Sequence, residues 1–218
     1  MNAAGAGVTA WGRGAWAEGA LGSGEGSRPG KCWRLDRSLA YAAGVSWVAP
    51  DVERSADYPD RRNESEREML HDWLRWHRAT LLRKCAGLDA GQLATRSVPP
   101  SSLSLIGMVR HMADTERGWV RQYFHHEPIP DLYYREDLPD ADFQEADAAR
   151  TEQDYEIYRA EFAPVDAALD DLRMDDTIVF RDKPTSVRWM WQHLVEEYAR
   201  HNGQADLLRE AIDGAAGL

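Results

Sequence analysis

The run His193-Leu194-Val195-Glu196-Glu197-Tyr198-Ala199-Arg200-His201-Asn202-Gly203-Gln204 sets His193, Glu197, His201 and Gln204 at i, i+4, i+8 and i+11. On a helix of about 3.6 residues per turn these side chains share one stripe, with neighbours about 5–6 Å apart at Cβ. An imidazole and a carboxylate that close can share one metal ion. A straight row of side chains does not satisfy tetrahedral or octahedral angles, so a further ligand must come from another element. The run Val109-Arg110-His111-Met112 offers one, because His111 lies between apolar Met108 and Met112 and is expected to face a bundle interior. Each residue alone also reads without a metal: Glu197 with His201 as an ion pair worth a few tenths of a kcal/mol, His111 as a hydrogen-bonded core histidine. Together, two histidines and one carboxylate from two helices form a recurring way for bundles to hold a metal.

Other chemistry-bearing residues carry less. Gln204 reads as a partner that orients a ligand imidazole or as a cap on polar surface. His77, in Trp73-Leu74-Arg75-Trp76-His77, reads as packing or pocket lining. Cys85 has no Cys or His nearby and reads as packing rather than as a nucleophile.

Four amphipathic helices must position these residues. The first starts at a capping box, Asn63 with Glu66 or Ser65 with Glu68, and runs to Cys85, where Gly87 stops it. Residues 87–103, with Pro99 and Pro100, read as loop. The second helix spans about Ser104 to His125. Residues 126–145, broken by Pro128, Pro130 and Pro139, read as a long connection that walls a pocket. A third helix spans about Asp147 to Leu172, with Pro164 expected to kink or split it. Residues 177–183 suggest one brief extended element before Pro184, and the fourth helix runs from near Ser186 to just before Gly214. The pattern is an all-α bundle.

The first 30 residues hold nine of the 17 glycines, so residues 1–62 are expected to be a disordered extension, or a start assigned too far upstream, ahead of a domain at 63–218. Residues 1–63 carry eight basic and seven acidic side chains, so of the chain's net charge of −11 the remainder carries −12 and the acidic character belongs to the domain. That balance argues against a nucleic-acid partner. No run of about 18 apolar residues and no secretory signal appear, which argues against a membrane and for the cytoplasm. The two cysteines, Cys32 and Cys85, form no disulfide framework.

Three blocks, Arg-Ala-Thr-Leu-Leu-Arg-Lys-Cys-Ala-Gly-Leu (78–88), Val-Pro-Pro-Ser-Ser-Leu-Ser-Leu-Ile-Gly-Met-Val-Arg-His (98–111) and Glu-Glu-Tyr-Ala-Arg-His-Asn-Gly-Gln-Ala-Asp-Leu-Leu-Arg-Glu (196–210), occur in this order. They resemble the mycothiol-transferase-like, mini-circle branch of the DinB superfamily over about residues 64–214. The resemblance implies an up-and-down four-helix bundle with a metal at one end. Residue by residue, His111 matches the second-helix ligand, and Glu197 and His201 match the pair on the fourth helix. Many members have histidine where this chain has Glu197; a carboxylate there is similar to the mycothiol-dependent maleylpyruvate isomerases.

The resemblance further implies an S-transferase in which a divalent metal, zinc first, ionises a mycothiol-type thiol for attack on an electrophile. In that reading Tyr133, Tyr134 and Arg135 of the long connection contact the thiol or the electrophile. The alternative is a non-catalytic, metal-binding stress-response module, with His193 completing the ligand shell. An iron(II) oxygenase shares the ligand set, but that chemistry usually sits in a β-rich scaffold. Tryptophan-rich bundle faces leave room for a homodimer.

Overall fold

The computed structural model describes residues 47–53, 59 and 65–216. Its first long helix, α1, spans Glu66–Cys85. The Ser65 side chain accepts from the Glu68 amide while the Glu68 carboxylate accepts from the Ser65 amide, so two orphan amides are satisfied reciprocally. Ser65 is thus the cap; Asn63 lies outside the described residues. A short α2, Ala90–Ala94, interrupts the stretch read as loop, capped by Asp89 and Gln92 in the same way.

The second long helix starts at Ser104, whose hydroxyl accepts from the Gly107 amide, and comprises α3, Leu105–Glu116, and a π-helical continuation, Arg117–Phe124. The wider π register is unexpected from apolar spacing alone. A four-residue helix α4, Ala141–Gln144, sits inside the long connection. The third long helix, α5, spans Thr151–Asp171 without a break at Pro164. Proline removes the hydrogen bond to the carbonyl four residues earlier. That residue, Ala160, lies on the exposed face, where water can take the place of the missing amide.

The expected single strand is instead a hairpin: β1, Thr177–Phe180, pairs antiparallel with β2, Lys183–Ser186. Arg181 and Asp182 make the two-residue turn with φ of 51° and 62°, the left-handed conformations such a hairpin requires. Pro184 fits inside β2 because a two-stranded ribbon is all edge. The last helix, α6, spans Val187–Asp213; Ser186 accepts from the Trp189 amide, and Gly214 ends it at φ 78°.

The long helices form a four-helix bundle in which α1 lies along α6, α3 along α5, and α3 also against α6. Leu74, Leu81, Met108, Met112, Tyr155, Leu169, Met190 and Leu194 are fully buried between them. Among the described residues no helix is long and apolar enough to cross a membrane.

Residues 1–46 lie outside the described residues, and with them most of the stretch read as an extension. Trp47–Glu53 does not hang free. The Ala49 amide donates to the Leu88 carbonyl at 2.9 Å and its carbonyl accepts from Gly87 at 3.0 Å, which satisfies backbone groups exposed by the end of α1. Ala49 is buried and the Trp47 ring meets Tyr155 edge-on at 5.4 Å.

Candidate metal centre

On α3, the apolar spacing turns Met108 and Met112 into the core and brings His111 to the seam with α6. One turn earlier, a Cβ on Gly107 would lie 3.2 Å from Phe143, so the glycine admits that ring. Phe143 in turn stacks on His111 with centroids 4.8 Å apart. On α6 the stripe descends from solvent into the bundle: the side chains of His193, Glu197 and His201 are 23 %, 15 % and 10 % exposed.

The structure brings His111, Glu197 and His201 together. Their potential ligand atoms lie within 4.8 Å of one another. Glu197 Oε2 is 3.3 Å from His201 Nε2 and 4.0 Å from His111 Nε2. Two ligand atoms on one tetrahedral zinc, at bonds of about 2.0–2.1 Å, stand ~3.4 Å apart. Glu197 and His201 already stand at that separation, and His111 stands about 0.6 Å beyond it, so a small divalent cation would draw His111 inward.

Both imidazoles are held from behind. His111 Nδ1 lies 2.8 Å from Asp142 Oδ2, and His201 Nδ1 lies 2.7 Å from Gln204 Oε1. An oxygen acceptor at Nδ1 keeps a proton there, so Nε2 is the nitrogen each ring can offer to a metal, once it gives up the proton it shares with Glu197 in the metal-free site. Gln204 thus contacts the His201 imidazole, as its spacing suggested. Asp142, on α4, had no sequence signal. It is delivered by the neighbouring Arg110, whose guanidinium donates to the Ala141 and Asp142 carbonyls at 3.0 and 2.8 Å and to Asp154 at 2.8 Å.

The electrostatics suit a cation. Burial alone, the largest influence, pushes the His111 imidazole down, but hydrogen bonds to Asp142 and Glu197 outweigh it and its pKa rises to about 9. Burial raises the Glu197 carboxyl, yet hydrogen bonds from His111 and His201 hold it well below the usual range. His193 is pushed down, mainly by burial, although Glu197 Oε1 lies 3.6 Å from its Nε2. Its ring stacks on Trp189 at 4.9 Å and meets Trp119 edge-on at 5.1 Å.

The sequence profile of the Mycothiol-S-transferase family matches residues 69–214. The chain belongs to this family. Among solved structures, the crystal structure of a conserved protein from Enterococcus faecalis is similar with a TM-score of 0.57 at 14 % identity, over 70 % of this chain and 99 % of that one. At that identity the likeness is one of fold. No curated protein matches.

The other expected site residues are engaged in bracing the connection. Asp114 accepts from the Leu132, Tyr133 and Tyr134 amides at 2.7, 3.0 and 3.1 Å. The Tyr133 ring is buried under the Arg110 guanidinium at 3.9 Å and its hydroxyl donates to Asp154 at 3.2 Å. Arg135 donates twice to Glu145, at 2.7 and 2.8 Å. Cys85 is fully buried and its thiol pushed up to about 12, as a packing residue's would be.

Proposed function

We propose that this family member is a metal-dependent S-transferase acting with a low-molecular-weight thiol of the mycothiol type. In this reading His111, Glu197 and His201 hold one divalent cation, zinc by the balance of two nitrogens and one oxygen. The observation that carries it is the pair of anchored imidazoles: Asp142 and Gln204 each engage an Nδ1, so that both Nε2 atoms turn toward Glu197. Family membership supports the thiol. When bound, such a cation lowers the pKa of a coordinated thiol and supplies a thiolate at neutral pH.

The chain's own residues do the rest. Asp142 and Gln204 fix ring orientation, Phe143 covers one face of His111, and three protein ligands leave a coordination position for sulfur. A second reading, a binding module without turnover, draws on His193, whose Nε2 stands 3.6 Å from Glu197 and is available to fill that position.

Metal analysis of purified wild type, His111→Ala and His201→Ala, with a thiol-consumption assay using mycothiol and a panel of electrophiles, tests both. Stoichiometric zinc and thiol consumption in wild type, both lost in the variants, is expected. Zinc without consumption moves the reading to the binding module, and wild type without zinc overturns both.

A further inference from the structure

A second buried polar cluster lies beside the candidate metal centre, and it takes one residue from each long helix. Arg78 of α1, Glu116 of α3, Tyr158 of α5 and Tyr198 of α6 are all at most 3 % exposed. Arg78 Nε donates to the two Glu116 oxygens at 2.9 and 3.1 Å. The Tyr198 hydroxyl donates to Glu116 Oε1, and the Tyr158 hydroxyl lies 2.7 Å from that of Tyr198. A further Arg78 nitrogen reaches Asp166 on α5 at 2.7 Å.

The placement matters. Glu116 is on the helix that carries His111, five residues on, about 7–8 Å along the axis. Tyr198 directly follows Glu197 and precedes His201 by three residues. The hydrogen bond from Tyr198 to Glu116 therefore joins the two ligand-bearing helices within about one and a half turns of the cluster. Burying a guanidinium and a carboxylate is expensive, and apolar residues of the same volume commonly stabilise as well. What the polar pair adds is position. An apolar helix seam tolerates small slides, whereas a buried hydroxyl aimed at one carboxylate oxygen loses its bond on sliding. Metal ligands, in turn, must stand within a few tenths of an ångström of their places.

We propose that Tyr198 is a positioning residue for the metal centre: through Glu116 it sets the register of α6 against α3, and so the approach of Glu197 and His201 to His111. The inference rests on the reading of those three residues as metal ligands. Tyr158 supplies an internal control, because its hydroxyl belongs to the same cluster but comes from α5, which carries no ligand.

Tyr198→Phe and Tyr158→Phe each delete one buried oxygen and keep the ring. Zinc affinity is measured by chelator competition, site geometry by the visible spectrum of the cobalt(II)-loaded protein, and the register of α6 by amide hydrogen exchange of segment 195–203 in metal-free protein. Tyr198→Phe is expected to weaken zinc binding about tenfold, to alter the cobalt spectrum and to speed exchange of that segment. Tyr158→Phe is expected to stay within about twofold of wild type with an unchanged spectrum, even where calorimetry shows similar loss of thermal stability. Equal effects of the two variants on affinity, spectrum and exchange, or wild-type values for Tyr198→Phe, overturn the proposal. If wild type takes up no zinc, the metal reading falls and the exchange comparison alone decides the register claim, equal protection in the two variants overturning it.

Discussion

Two buried polar clusters share helices α3 and α6 and are built on opposite principles. Around Glu116, a guanidinium and a hydroxyl converge on one carboxylate, so the donors point at oxygens of the protein itself. Around Glu197, the atoms that converge are two imidazole nitrogens and a carboxylate oxygen, all potential metal ligands. The first cluster is complete with protein atoms, and its work is to hold helices. The second has its hydrogen-bonding partners placed behind the rings, at Asp142 and Gln204, and turns ligand atoms toward a common point. Both clusters are buried and charged; what distinguishes them is the direction in which their lone pairs face.

The sharpest break is expected at the complete cluster. Arg78→Met leaves Glu116 buried without its guanidinium, which should cost about 3–5 kcal/mol and lower the calorimetric Tm by about 10 °C. A change of only a degree or two would show that the ion pair is not what holds the bundle.

Next in size is an acid sensitivity carried by His77, which is buried, accepts from Asn202 Nδ2 at 3.2 Å and stacks beside Tyr198. Burial lowers its pKa from 6.5 to about 4. The folded state therefore keeps His77 neutral while the unfolded chain takes up a proton, so this contribution is intact above pH 6.5 and is lost as pH falls toward 4. It amounts to at most about 3 kcal/mol. Urea midpoints of wild type should fall across that window more steeply than those of His77→Gln; parallel curves would place the sensitivity elsewhere.

The smallest effect sharpens the other side. Asp142→Ala removes the acceptor behind His111 and should weaken zinc binding about 10- to 100-fold, with a smaller fall of the thermal midpoint than Arg78→Met because His111 keeps Glu197 as a partner. Unaltered affinity would mean that packing by Phe143, rather than the hydrogen bond, orients the ring.

The local features of the fold were legible for local reasons. Ser65 with Glu68, Ser104 and Ser186 mark helix starts because a side-chain oxygen within three residues answers an orphan amide, and Gly87 and Gly214 mark ends because the chain there turns left-handed. The hairpin was read as one strand because Arg181-Asp182 carries no glycine signature for its turn. Tyr133, Tyr134 and Arg135 are expected at the substrate from the resemblance; that their backbone and side chains also bond Asp114, Asp154 and Glu145 becomes visible only once the connection is folded.

Sequence alone determined the helical periodicity, and with it the stripe of His193, Glu197, His201 and Gln204, because spacing along a helix is a property of the chain itself. It also marked His111 as an inward-facing residue. Tertiary structure decided that His111 meets Glu197 across the seam, that Asp142 stands behind it, and that Glu116 reaches Tyr198. Those contacts join residues 31 to 86 positions apart, and only the packing of one helix against another sets such distances.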